Sequence, residues 1–314
     1  MREVNLPNFD IIYSGNKAAL IDPDGKVCLG VSRKLAENLT NPKIQERVFS
    51  VWKQQADIQK RIEAGREIIN TVYLMVTRQC NMNCDFCAIN ANKNLHLNNE
   101  MEIRTIKNKI IPFLKENCPH KLIVTGGEPL MKKNILGIIQ ALHEEIGCSI
   151  TLQSNGLIID EKIVEGLKGN IKEIDLSTKH MFGDSEKQVA LKKNIKMCQE
   201  AGIQVVLSFV YERTNKQDLI NVIDIAAKYN TGLILNVVAP IGRAKSHSIL
   251  LTEAERIEMY LDIAKYIYKM HYADKLLFNV TQQNLQVRKA CGAYGKVLAI
   301  FPEGNIYVCQ CLER

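Results

Sequence analysis

No apolar stretch in this chain reaches 18 residues, so none reads as a membrane-spanning helix. The opening MREVNLPNFD lacks the charged-then-apolar pattern of a secretory signal. No block of five or six like charges occurs. The net charge of +7, from 41 basic and 34 acidic residues, is spread over helix-like segments, which argues against a nucleic-acid partner. Low-complexity segments are absent. The six histidines lack metal-ligand spacing, and His180 reads as a solvated loop residue. These absences leave a cytoplasmic globular protein with no membrane or nucleic-acid partner. Its 46% hydrophobic and 24% charged residues suit an ordinary core.

Cysteine, by contrast, is plentiful, with ten residues in 314. In a reducing compartment clustered cysteines read as metal or redox ligands and isolated ones as small buried hydrophobes. Cys28, Cys118, Cys148 and Cys198 are isolated, and burial is expected for them. Cys80, Cys84 and Cys87 stand within eight residues as Cys-x3-Cys-x2-Cys, directly after an apolar strand-like run. Metal and iron–sulfur sites normally take four ligands. Three thiolates therefore suggest a cluster with one open iron. A structural zinc site completed by His96 is the competing reading.

From Thr71 onward strands and helices alternate. The strand runs are 71–76, 121–125, 148–153, 171–177, 203–210 and 232–238. Helical stretches follow each, near 100–116, 134–146, 160–168, 186–201, 216–229 and 252–270. Each strand is apolar enough to suggest burial on both faces. Six such units imply a parallel sheet with right-handed crossovers. An α/β partial (β/α)6 TIM-like barrel is expected over 71–270, with a doubly wound sheet as the alternative. Residues 1–70 read as a small β/α module, a ribbon with turns at SGN and DPDG followed by two helices. After 271 the pattern changes, and KVLAIFPEGNIYVCQC reads as a β-hairpin turning at Pro302-Glu303-Gly304-Asn305.

The unusual residues fall just past the C-terminal ends of the strands, the rim where parallel α/β folds build their sites. The cysteine triad follows the first strand and Gly126-Gly127-Glu128-Pro129-Leu130 the second. Ser154-Asn155-Gly156 follows the third, and the fourth ends at Ser177. Pro240-Ile241-Gly242-Arg243 follows the sixth. The triad, with aromatic Phe86 before its last cysteine, resembles the signature of the radical S-adenosylmethionine (SAM) enzymes. GGEPL resembles that superfamily's second motif. The resemblance covers roughly 71–240. It implies a [4Fe–4S] cluster on Cys80, Cys84 and Cys87, whose open iron chelates SAM and whose electron releases a 5′-deoxyadenosyl radical. It also implies SAM contacts from Phe86, Gly126, Gly127, Glu128, Ser154, Asn155 and Ser177. Glycines allow close backbone approach to the methionyl ammonium, and Glu128 would add a charge-assisted hydrogen bond. Serine and asparagine after a strand are also ordinary turn residues.

Cys291, Cys309 and Cys311 form a looser second group. Cys291-x12-Gly304-x4-Cys309 resembles the start of the SPASM or Twitch extension, and Pro240–Ala244 a segment common in that subfamily. The resemblance implies an auxiliary iron–sulfur cluster held by these three. Full extensions carry more cysteines than the sequence shows before residue 314. An ordinary hairpin with two stray buried cysteines is the plain alternative, and packing is the default for Tyr73, Tyr211 and Tyr294. The expected activity is modification of a peptide, as in a ribosomal peptide maturase forming a thioether or carbon–carbon crosslink. The N-terminal module would recognise a leader sequence, since a peptide strand can add to a ribbon's edge. A one-electron donor such as flavodoxin or ferredoxin is the implied protein partner. Maturation of a folded protein, as by an anaerobic sulfatase maturase, is the alternative. A non-catalytic iron–sulfur sensor or scaffold is the reading from another class.

Overall fold

The computed structural model describes residues 6–25, 27–63, 69–95, 100–213, 215–246, 250–272, 277–278 and 296–309. The chain divides into two compact units between residues 68 and 69.

The first unit is a three-stranded antiparallel sheet, β1 (Asp10–Ser14), β2 (Lys17–Ile21) and β3 (Cys28–Ser32), with helices α1 (Arg33–Ala36) and α2 (Pro42–Glu63). Strand β2 is central. Gly15 and Gly25 supply positive φ at the two turns, 55° and 66°, as tight turns require. Leu20, Val27, Leu29 and Val48 form the core, with Trp52 packed against it. Asp22 accepts from the Val27 backbone N–H at 3.0 Å and from the Trp52 indole at 3.4 Å, which joins the second turn to α2.

The second unit holds the alternating pattern. Strand β4 (Thr71–Met75) leads to α3 (Ile103–Thr105), which passes through a π-helical turn at Ile106–Ile110 into α4 (Ile111–Asn117). Then come β5 (Lys121–Thr125), α5 (Ile135–Ile146), β6 (Ser149–Ser154) and α6 (Glu161–Leu167). They are followed by β7 (Glu173–Ser177), α7 (Ser185–Glu200), β8 (Gln204–Tyr211) and α8 (Lys216–Tyr229). The series ends with β9 (Gly232–Val237), α9 (Glu253–Lys269), β10 (Leu277–Phe278), β11 (Val297–Ile300) and β12 (Ile306–Tyr307). Side chains cap the helices where the sequence offers them. Asp160 accepts from the Ile163 N–H at 2.8 Å, Asp184 from Lys187 at 3.1 Å, and Thr252 with Glu255 forms a capping box.

The sheet order is β10-β9-β8-β7-β6-β5-β4-β11-β12. All neighbours from β10 to β11 are parallel, and β12 returns antiparallel. Among the described residues the sheet is open, with edges at β10 and β12. The six strand–helix units thus appear in sequential order, as expected of a partial barrel. The C-terminal hairpin joins this sheet, with β11 parallel to β4. Non-local pairing of that kind leaves no local sequence signal.

Sequential right-handed units place all their helices on one face. Alternation along each strand points Val72, Leu74, Leu122, Val124, Leu152, Ile174, Leu207 and Leu235 to that face, where they are buried in one core. The opposite face is mixed, with Met75, Ile123 and Val206 buried beside polar residues. It carries Lys121, Thr151, Gln153, Glu173, Asp175, Ser208 and Asn236. Glu173 accepts from Lys121 at 2.8 Å and Thr151 at 3.1 Å, and Gln153 donates to Asp175 at 3.0 Å. The expectation of strands apolar on both faces therefore holds only in part. Burial there combines apolar side chains with polar pairing.

Candidate functional site

The loop after β4 carries the cysteine triad, and its backbone is held from several sides. Glu100 accepts from the Thr77 hydroxyl at 2.5 Å and the Arg78 N–H at 3.2 Å, and receives Lys132 at 2.8 Å. Burial alone would raise its carboxyl, but Lys132 and Thr77 outweigh that and hold it below the usual range. The Cys80 N–H donates to the Asn92 carbonyl at 3.1 Å, closing the loop on itself. Met75, Cys80, Ile89 and Ala91 pack with Ala299 and Phe301 of the hairpin in a small core of their own. Arg78 lies 5.1 Å from the centre of the Phe301 ring and pairs with Glu303 at 2.5 Å. The hairpin therefore forms part of the floor of this loop.

GGEPL makes the next contact. The N–H groups of Gly127 and Glu128 donate to the Thr77 and Gln79 carbonyls at 2.8 and 2.9 Å. Gly126 has φ +148°, and a Cβ there would meet the Thr77 oxygen at 2.4 Å. A Cβ on Gly127 would meet the Gln79 oxygen at 2.3 Å. Both glycines are thus dictated by the approach of two backbones. The Gly127 and Glu128 N–H groups face the cysteine loop, so an ammonium would be met by carbonyl oxygens, the only acceptors a peptide offers.

Glu128 does something different from the sequence expectation. Its side chain is fully buried. It accepts from the Leu130 N–H at 3.1 Å, the Ser154 hydroxyl at 2.9 Å and the Asn155 N–H at 2.7 Å. Burial pushes its carboxyl up, against those three donors. It braces the ends of β5 and β6 rather than reaching outward. Ser154 and Asn155 are buried partners of that brace, and the Asn155 amide donates to Asn81 of the cysteine loop at 2.7 Å. Ser177 is exposed at the end of β7. Two residues on, Lys179 places its ammonium 4.3 Å from the centre of the Phe86 ring, 3.6 Å from Asp85 and 2.5 Å from Glu212. The structure therefore brings Phe86, Gly126, Gly127, Glu128, Ser154, Asn155 and the triad into one connected rim.

The thiols are half-buried to buried. Burial raises Cys80, a backbone bond from Met82 opposes it, and the Glu128 and Cys87 charges add to it. Burial likewise pushes Cys84 up to about 11, with Cys87 and Cys80 acting in the same direction and Arg243 against. Cys80 and Cys84, raised by burial and by the neighbouring cysteines, resist ionising unless cationic metal neutralises them, so the donor set fits a metal cluster. Among the described residues no three His, Cys, Asp or Glu side chains converge on a single metal ion. A cluster makes no such demand, because each thiolate holds a different iron.

Some expectations are corrected. Cys28 and Cys118 are exposed rather than buried; Cys118 sits at the end of α4 in a left-handed conformation. Cys198 is buried as expected. His180 is not a solvated loop residue. Its Nε2 is shut from solvent without a partner, and burial, helped by the Lys187 charge, pushes it down to about 4. Tyr211 is buried and Tyr73 half-buried. Cys291, Cys311, Tyr294 and His96 lie outside the described residues. Cys309 is half-buried, two residues beyond β12. Arg243, Lys179 and Asn81 were missed as loop supports. Arg243 and Asn81 lay in motifs the sequence marked, and Lys179 did not.

The sequence model of the Radical SAM superfamily matches residues 74–226. The chain is 28% identical over 194 residues to a GTP 3′,8-cyclase of Clostridium perfringens (strain SM101 / Type A), covering 58% of each chain. It therefore spans less than two thirds of that relative's length. Among solved structures it is similar to Streptococcus suis SuiB bound to precursor peptide SuiA, with TM-score 0.66 and 14% identity, over 95% of this chain and 82% of that one. It is also similar to anSMEcpe with bound AdoMet, with TM-score 0.60 and 14% identity, over 77% of this chain and 74% of that one.

Proposed function

We propose, from the match of residues 74–226 to the Radical SAM superfamily, that this chain is a cytoplasmic radical SAM enzyme that modifies a peptide. The superfamily's cofactors are a [4Fe–4S] cluster and SAM. When bound, they supply a one-electron cleavage of a sulfonium C–S bond and so a hydrogen-abstracting radical. The chain's own residues do the positioning. Cys80, Cys84 and Cys87 would hold three irons. The carbonyls of Gly126 and Gly127 would receive the methionyl ammonium, with Ser154, Asn155 and Ser177 on the neighbouring rim and Phe86 opposite. Glu128 fixes the rim by bonding Ser154 and Asn155. Cys309, with Cys291 and Cys311, would hold an auxiliary cluster, and a flavodoxin or ferredoxin would deliver the electron.

The extent of the fold match carries the peptide reading. SuiB, solved with a precursor peptide, matches 95% of this chain, which takes in most of the N-terminal unit. The match to anSMEcpe covers 77%. Strands β1 and β3 are the edges of the N-terminal sheet, and an extended leader can pair with such an edge. A second reading, nucleotide cyclisation, is favoured by the 28% identity to GTP 3′,8-cyclase. The two are separated by supplying the anaerobically reconstituted enzyme, SAM and dithionite with either GTP or a candidate peptide, such as the product of a neighbouring short cysteine-rich reading frame. A mass change in the peptide coupled to 5′-deoxyadenosine supports the first reading. Consumption of GTP with an inert peptide contradicts it.

A further inference from the structure

Arg243, in the segment after β9, touches the cysteine loop three times. Its backbone N–H donates to the Cys87 carbonyl at 3.1 Å. Its Nε donates to the Cys84 carbonyl at 2.6 Å and its Nη2 to the Ala91 carbonyl at 2.9 Å. Two of those three carbonyls belong to the triad cysteines themselves. The preceding Gly242 has φ +55°, and a Cβ there would meet the Cys87 oxygen at 2.2 Å and the Ala88 oxygen at 2.5 Å. The residue after, Ala244, is fully buried. The segment is therefore pressed onto the loop backbone, with an alanine anchoring it and a glycine letting it close. Among the described residues the guanidinium pairs with carbonyls and with no carboxylate, so its positive charge is left uncompensated beside the triad.

We propose that Arg243 is a positioning residue for the cluster on Cys80, Cys84 and Cys87, with two separable effects. Its planar fork ties the Cys84 carbonyl to that of Ala91 and so clasps the loop that carries the triad, and its charge favours the reduced, more negative state of the cluster. The inference rests on the reading of the triad as cluster ligands. The fork and the charge can be told apart because lysine keeps the charge but is a point donor that cannot span two carbonyls. A positive charge near a cluster raises its reduction potential.

The test uses the full chain, reconstituted anaerobically as wild type and as Arg243→Ala, Arg243→Lys and Gly242→Ala. Iron per chain, the rate of iron loss to EDTA, and the midpoint potential are measured. The potential is followed by the part of the electron paramagnetic resonance spectrum that responds to added SAM. Arg243→Ala should release iron about tenfold faster or more, the usual scale for losing a group that orients a ligand, and should have a lower potential. Arg243→Lys and Gly242→Ala should release iron as quickly yet keep a potential close to wild type. If Arg243→Ala does not fold, the other two carry the test of the clasp, and Arg243→Gln that of the charge. Iron release at the wild-type rate in the folded variants would overturn the clasp. An unchanged potential on loss of the charge would overturn the electrostatic part. A wild type that binds no SAM-responsive cluster would instead sink the triad reading, and this inference with it.

Discussion

At the scale of single residues, two buried carboxylates behave in different ways. Asp175 stands in the middle of β7 with one oxygen bonded to Gln153 and the other without a partner. Burial, and secondarily the Glu173 charge, push it up to about 7. The folded form therefore holds a proton between pH 4 and 7 that the unfolded chain has released, so stability falls as pH rises through that window. Asp175→Asn should flatten this fall. The variant should gain on wild type, by a few kcal/mol on the order of the shift, as pH rises from about 4 to 7. Thermal melts of the apoprotein at several pH values check it, and parallel slopes would refute it. Glu128 has the opposite problem, since three donors converge on it. In Glu128→Gln an amide N–H₂ must face the Asn155 N–H or the Ser154 and Leu130 donors. A loss of about 1–3 kcal/mol is expected, the cost of leaving a buried donor unmet. Denaturant unfolding would show it.

At the scale of elements, the site is a meeting of backbone loops rather than of side chains. Gly127→Ala illustrates this. The added methyl would lie 2.3 Å from the Gln79 oxygen and 2.8 Å from that of Arg78, and neither is a flexible side-chain end. The variant should lose retained iron at least about tenfold while its far-ultraviolet circular dichroism stays near wild type, because the clash is confined to the cysteine loop. The sequence revealed this arrangement partway. The order of β4 to β9, the helices between them and the turn at Pro302–Asn305 are written in local periodicity and turn chemistry, and so were legible. The mixed face bearing Gln153, Asp175 and Ser208 was not, because strands rich in Val, Ile and Leu mask a period of two. The parallel pairing of β11 with β4 is non-local and has no signature. The motif cysteines and glycines were visible, but the inward role of Glu128 was not. A glutamate beside two glycines reads the same whether it faces a ligand or a buried serine. Lys179 over Phe86 joins residues 93 positions apart, and no spacing rule announces such a contact.

At the scale of the molecule, the chain has two compact units, and the cluster motifs lie wholly within the second. If the first unit recognises peptide and the second carries the radical chemistry, as proposed, the two activities should be separable. A protein lacking residues 1–68 should still cleave SAM without substrate at a rate within about threefold of the full chain, yet lose product formation on a leader-bearing peptide. Chromatography of 5′-deoxyadenosine and mass spectrometry of the peptide would report the two activities. Equal loss of both would show that the units do not divide the work. Cys309→Ala should likewise spare SAM cleavage while impairing product.

The central claim is that Cys80, Cys84 and Cys87 hold the cluster that cleaves SAM. It is met most directly by quantifying 5′-deoxyadenosine after anaerobic reconstitution with SAM and dithionite, for the wild type and for the three single alanine variants. Release by the wild type, and its loss in each of Cys80→Ala, Cys84→Ala and Cys87→Ala, is the predicted result. Release that persists in any of the three, or is absent from an iron-loaded wild type, would contradict it.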